Sequence, residues 1–140
     1  MLQALATPRD RTRTLIFLAI CGAAAIAAAL VGISDNPLGI FLVLAAGAAF
    51  VLAFVHPWRT PEQFGRLLVA SGLGFVLFVV LHNVFEALAG TAEDIAVLHG
   101  LLEGLGGAAF LLATLVCLPA FLVSVVALVI VLIRNRRRST

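Results

Sequence analysis

The chain contains no lysine, and charged side chains make up only 11% of its 140 residues. Soluble domains carry about 25% charged residues, so the polar coat that water demands is missing. A chain this short cannot hide much apolar surface, yet 63% of its residues are hydrophobic and its mean hydropathy is +1.19. An aqueous globular domain is thereby excluded, and lipid is the solvent that fits. Cysteine is scarce as well. Cys21 and Cys117 both fall inside apolar runs, at a spacing that matches no Cys-x-x-Cys metal or redox motif. Each reads as a small buried hydrophobe, and a disulfide within the bilayer is not expected. The sequence holds no Ser-His-Asp set, no phosphate-binding glycine loop and no His-Glu-x-x-His pattern. Without a nucleophile–base arrangement, an enzyme, including one acting on lipid, is the less favoured reading.

The charge that is present is arranged. All nine basic residues are arginines, clustered at Arg9, Arg11 and Arg13, at Arg59 and Arg66, and at Arg134, Arg136, Arg137 and Arg138. Between the clusters lie apolar runs of span length. They predict an all-α integral membrane protein, a single domain with transmembrane helices near 15–33, 38–56, 67–89 and 108–133. With Arg9 to Arg13 inside, every arginine falls on one side, and the opposite loops carry only Asp35, Glu93 and Asp94. That is the positive-inside pattern for four spans. It predicts a multi-pass protein of the plasma membrane (the cell inner membrane) with N- and C-termini in the cytoplasm. The first apolar run continues well past Ala23-Ala24-Ala25, so it is expected to be an uncleaved span rather than a removed signal. The arginine tail is short and directly follows an apolar run, so it reads as a topology anchor touching anionic lipid, and a nucleic-acid partner is not expected.

The linkers carry helix signals. Ser34-Asp35-Asn36-Pro37 reads as a tight turn. Thr60, Pro61 and Gln63 read as a cap, a first-turn proline and a capping-box amide. Trp58 suits headgroup depth, and His56 is expected nearby in a structural or headgroup contact. Gly90 is expected to end the third span, and Thr91 to cap a new helix with Asp94. Residues 95–133 are too long for one crossing: 39 residues of helix extend about 58 Å, against a hydrocarbon core of about 30 Å. A division near Gly104, Gly106 and Gly107 is expected, giving a short outer helix near 91–105 and a last span kinked at Pro119. One long bent helix protruding from the membrane is the alternative.

The most distinctive stretch is a repeated decapeptide, Leu-His-x-x-x-Glu-x-Leu-x-Gly, at residues 81–90 and 98–107. Residues four apart share a helix face, so His82 stacks on Glu86 and His99 on Glu103. A turn near Gly90 would set His82 and His99 at equal depth, with Asn83 beside them able to bond across a helix contact. Carboxylates are costly in hydrocarbon, so such a strip should face protein, a partner or water. His82, Glu86, His99 and Glu103 could bind a divalent transition metal such as zinc. The same groups with Asn83 could relay protons, or the two imidazoles could ligate haem b for electron transfer. Against these stands a purely structural role for the pairs. The leading expectation is a small membrane protein handling protons or divalent metal ions. The alternatives are a non-catalytic scaffold subunit of a membrane complex and a bis-His haem protein. Gly100, Gly104 and Ala108 form a small-residue series suited to close helix packing, within one bundle or in a homo-oligomer.

Overall fold

The computed structural model describes residues 6–33 and 36–137. Ser34 and Asp35 of the expected first turn, and Arg138 of the tail, lie outside them. The helices are α1 (Pro8–Val31), α2 (Pro37–Val55), α3 (Pro61–Thr91), α4 (Ala96–Leu111) and α5 (Leu118–Arg136), with a π-helical stretch Leu112–Cys117 joining α4 to α5. Four helices are long and apolar enough to cross a membrane: α1, α2, α3 and the continuous 41-residue run Ala96–Arg136. The protein is an all-α multi-span membrane protein. Its surface agrees: Leu15, Leu30, Phe41, Leu73 and Val126 are all more than half exposed, as side chains facing lipid should be.

Three helices start by one device. Thr7, Asn36 and Thr60 stand at the N-cap, each followed by proline at the first helical position, where its missing N–H costs nothing. The Thr7 hydroxyl accepts from the Asp10 N–H at 3.1 Å, and Asn36 Oδ1 accepts from the Leu38 N–H at 3.1 Å. Gln63 Oε1 accepts from the N–H groups of Arg59 and Thr60 at 3.2 and 3.4 Å. Because Thr7-Pro8 is a start signal, α1 begins at Pro8 and not near residue 15, so Arg9, Arg11 and Arg13 ride on its first turns.

The helices form two antiparallel hairpins. In the first, α1 packs on α2 alone among the described elements. Ala28 of α1 and Ala46, Ala49 and Ala53 of α2 are buried, and such small side chains let the backbones close up. The Thr14 hydroxyl donates to the Ala53 carbonyl at 3.1 Å, tying the arginine-rich ends together. The turn closes at Gly32, whose φ is +85°, and Gly39 lies so close to the Gly32 carbonyl that no Cβ fits there.

The second hairpin departs from expectation. Gly90 lies inside α3, which runs to Thr91, and the Thr91 hydroxyl bonds back to the Leu88 carbonyl at 2.8 Å instead of capping forward. The turn is Ala92–Ile95, and α4 starts at Ala96. Nor does the chain divide at Gly104–Gly107. Each glycine costs a helix only about 1 kcal/mol, and Gly106 is buried against α3, where a Cβ would lie 3.5 Å from Phe85 Cβ. The helix therefore continues through 108 to Arg136, and no separate helix 91–105 exists.

The disturbance comes at Pro119 instead. Proline gives no N–H and its ring crowds the carbonyl four residues back. The helix widens before it: the Leu118 N–H reaches the Ala113 carbonyl, five residues back. Widened turns of this kind are the usual form of π-helix. Pro119 is fully buried and packs on α2 at Gly47. A Cβ on Gly47 would lie 2.6 Å from Pro119 Cγ and 2.8 Å from the Leu115 oxygen, so glycine is required for the two hairpins to meet. On the other flank Gly74 of α3 makes room for the Cys117 sulfur, 3.1 Å from where its Cβ would be. Cys117 is buried as expected, whereas Cys21 is half-buried; both are free thiols.

Gly47→Leu should lower stability by about 1–3 kcal/mol through overpacking. Gly22→Leu, at a site with nothing within 4 Å, should leave it nearly unchanged. Thermal unfolding of both variants in mild detergent checks this.

Candidate functional site

The decapeptides face each other across the α3–α4 hairpin. His82 Nδ1 lies 3.0 Å from the Gly106 carbonyl oxygen, and His99 Nδ1 lies 3.0 Å from the Ala89 carbonyl oxygen. A carbonyl only accepts, so each Nδ1 carries the proton and donates. Gly106 and Ala89 are both the ninth residue of their decapeptide. The second residue of each copy thus bonds the ninth residue of the other, which makes the repeat a reciprocal clasp. The ninth position has to be small so that the partner imidazole reaches the backbone. Ala89 is 2% exposed, and the ring of Phe110 covers His82 at 5.3 Å between centroids.

This register corrects the expected depths. Because the turn is centred near residue 94, His82 is level with Gly106 rather than with His99. Gly106 lies seven residues beyond His99, so the two imidazoles stand about 10 Å apart along the helices. They do not oppose each other as a pair of axial ligands would. Glu86 and Glu103 come closest to a common level, and both are exposed. Glu86 Oε1 is 4.0 Å from His82 Nδ1, and Glu103 Oε1 is 3.4 Å from His99 Nε2. The second pair is the closer, and it involves the ring nitrogen that the carbonyl bond leaves free. Asn83 bonds not across the hairpin but within α3, donating to the Val79 carbonyl at 2.7 Å. Among the described residues, no three His, Cys, Asp or Glu side chains come together to hold a metal ion.

The hairpin also reaches beyond the first two helices. Gly47 of α2 sits against Leu115 and Pro119, and α2 runs in the same direction as α5. Ten residues earlier, the start of α2 at Pro37 is level with residues 105–109. Among the described elements α4 packs only on α3 and the π-helical stretch, and it touches neither α1 nor α2. The hairpin from about 83 to 106 therefore rises some 18 Å past the N-terminal end of α2, at 1.5 Å per residue. Glu86, His99 and Glu103 belong to this projecting part, with His82 at its base.

The small-residue series takes no part in the internal packing. Gly100, Gly104 and Ala108 are exposed, with nothing within 4 Å of either glycine; the face that meets α3 uses Gly106, Ala109 and Ala113 instead. His56 lies at the opposite end. Its side chain is 6% exposed, with Nδ1 3.1 Å from the Ala53 carbonyl and Nε2 3.8 Å from Asp10 Oδ1. It is a structural contact between α1 and α2, under Phe17 at 6.0 Å.

Fold and site together define a four-span helical membrane protein with a polar clasp in its projecting hairpin. Comparisons with protein-family models, with curated proteins and with solved structures gave no match.

Each clasp bond should contribute about 1 kcal/mol. His82→Ala and His99→Ala should therefore speed amide hydrogen exchange in the turn 92–95 and leave α1 and α2 unchanged. His82→Asn, whose amide N–H can replace Nδ1–H, should restore most of the protection. Equal loss in the Asn variant would count against the clasp.

Proposed function

We propose that the chain is a non-catalytic subunit of a membrane complex, in which four spans supply the anchor and the α3–α4 hairpin is the docking element. The observation that carries this reading is the projecting hairpin itself, which is apolar and uncovered. Val97 is 76% exposed, Leu101 61%, Ile95 58% and Leu105 50%. Beyond the bilayer, a continuous apolar surface of this kind marks an interaction site. The exposed Gly100, Gly104 and Ala108 permit close approach of another helix, and Glu86 and Glu103 add charged groups for a partner to meet. The clasp has a scaffold's role here, since it uses the two imidazoles to hold the hairpin shut.

The ion-handling reading draws on the same residues, but it needs them gathered around a ligand or along a path. Both imidazoles instead hold backbone carbonyls, and the four groups form no metal cluster. That favours the subunit reading. By the positive-inside rule the arginine-rich end faces the cytoplasm, both termini lie there, and the hairpin stands on the outer face of the plasma membrane. Lipid contacts the spans.

A photo-reactive residue at position 101, in cells, should cross-link the chain to one discrete protein, and the same residue at position 77, on the lipid-facing side of α3, should not. A product of twice the chain mass would make the partner a second copy. Alongside it, protein purified in mild detergent without chelator should carry neither stoichiometric transition metal nor a haem absorption band. One metal per chain, lost in the His82→Ala/His99→Ala double variant, would overturn the subunit reading in favour of ion handling.

A further inference from the structure

At the arginine-rich end, opposite the hairpin, a groove of about 570 Å³ opens between the α2–α3 loop and the last turns of α5. Its volume falls in the range of about 300–1,000 Å³ usual for small-molecule sites. The inner wall is apolar, formed by Val55 and Phe64 with Ile130 of α5, and Trp58 stands beside it with its ring 5.7 Å from that of Phe64. The rim is cationic, with Arg59 on the loop and Arg134 on α5.

The two guanidinium groups differ in how they are held. Arg59 Nη1 donates to the carbonyls of His56 and Trp58 at 2.9 and 3.1 Å, which fixes the group at the loop and leaves Nε and Nη2 as donors. Arg134 is exposed and pairs with no carboxylate among the described residues. The acids of this end, Asp10 and Glu62, do not line the groove. Two cations and an apolar trough therefore share one opening, at the depth where Trp58 marks the headgroup region.

We propose that this groove seats one anionic phospholipid, its phosphate held by Arg59 and Arg134 and an acyl chain laid along Val55, Phe64 and Ile130. Arginine suits the task because its planar fork matches phosphate oxygens, and a lipid presents its phosphate and its chain together. This goes beyond the general pull of a basic tail on an anionic leaflet, because the contact is localised and includes the acyl chain.

Trp58 is the sole tryptophan and reports on the site directly. The full chain is reconstituted in phosphatidylcholine vesicles, and increasing fractions of lipid brominated on the acyl chain are added, either phosphatidylglycerol or phosphatidylcholine. Bromine quenches the indole on contact. Half-maximal quenching should need about fivefold less brominated phosphatidylglycerol than brominated phosphatidylcholine, the effect of about 1 kcal/mol for one well-placed arginine. Arg134→Gln, which breaks no ion pair among the described residues, should bring the two curves together. Arg59→Gln should do the same, with unfolding temperature measured in parallel because Arg59 also holds the loop. Millimolar inorganic phosphate should not restore the fluorescence. Equal quenching by the two lipids, a preference that survives Arg134→Gln, or recovery with inorganic phosphate alone would each overturn the proposal.

Discussion

The thickness of the bilayer is the constraint on which this structure turns. The 19 residues of α2 extend about 28 Å, close to the hydrocarbon core of about 30 Å. The 31 residues of α3 and the 41 of the run Ala96–Arg136 extend about 46 and 61 Å. α2 and α3 end nearly level at the arginine-rich side, so the longer α3 projects at the other, and the run Ala96–Arg136 passes α2 at both ends. The arginine-rich end is fixed by packing: Val51, Val55, Phe64 and Ala120 form a small core there, and Arg59 and Arg134 line the groove beside it. Unequal length thus becomes a projecting hairpin.

The hairpin must keep its shape without help from α1 or α2, and the clasp supplies that. In the bundle the closest contacts are made by removing side chains: Gly47 under Pro119, Gly74 beside Cys117, Gly39 against Gly32. In the hairpin the contact at Gly106 is looser, with Phe85 Cβ 3.5 Å from where a Cβ would lie, and imidazole-to-carbonyl bonds are added at both levels. A carbonyl inside a helix already accepts one bond and has a second lone pair available, so the clasp takes nothing from the helices it joins. Its two-fold character follows from the repeat, since antiparallel copies of one pattern present the same donor and acceptor to each other.

Much of the fold was legible in the sequence because the signals were local. Four apolar runs, the one-sided arginines, the turn before Pro37 and the cap at Thr60 with proline behind it each act within a few residues. What failed was long-range. Gly104, Gly106 and Gly107 look like a break, but helix propensity is weak beside the packing of Gly106 on α3. Thr91 and Asp94 look like a cap, yet α3 runs on through Gly90 and takes the Thr91 hydroxyl for itself. That shift of the turn's centre by between three and four residues moved His82 from the level of His99 to that of Gly106. The repeat did single out His82 and His99, which the structure sets against backbone carbonyls of the facing helix. Its ninth position, small in both copies, was the signal for the carbonyl acceptors, and it became readable only once the register was known. The lipid groove had no such signature, because Trp58, Arg59 and Arg134 come together through the α2–α5 contact.

The position of the hairpin relative to the bilayer is the central claim, and thiol labelling measures it directly. With Cys21 and Cys117 replaced by alanine, single cysteines at Leu101 and Leu77 are compared in nanodiscs, using a maleimide that does not enter lipid. Both positions are exposed on the isolated chain, at 61% and 55%. Rapid labelling at 101 with protection at 77 is the expected result, because only the first stands clear of the hydrocarbon. Equal protection at both positions would place the hairpin inside the membrane and contradict the projection on which the docking role rests.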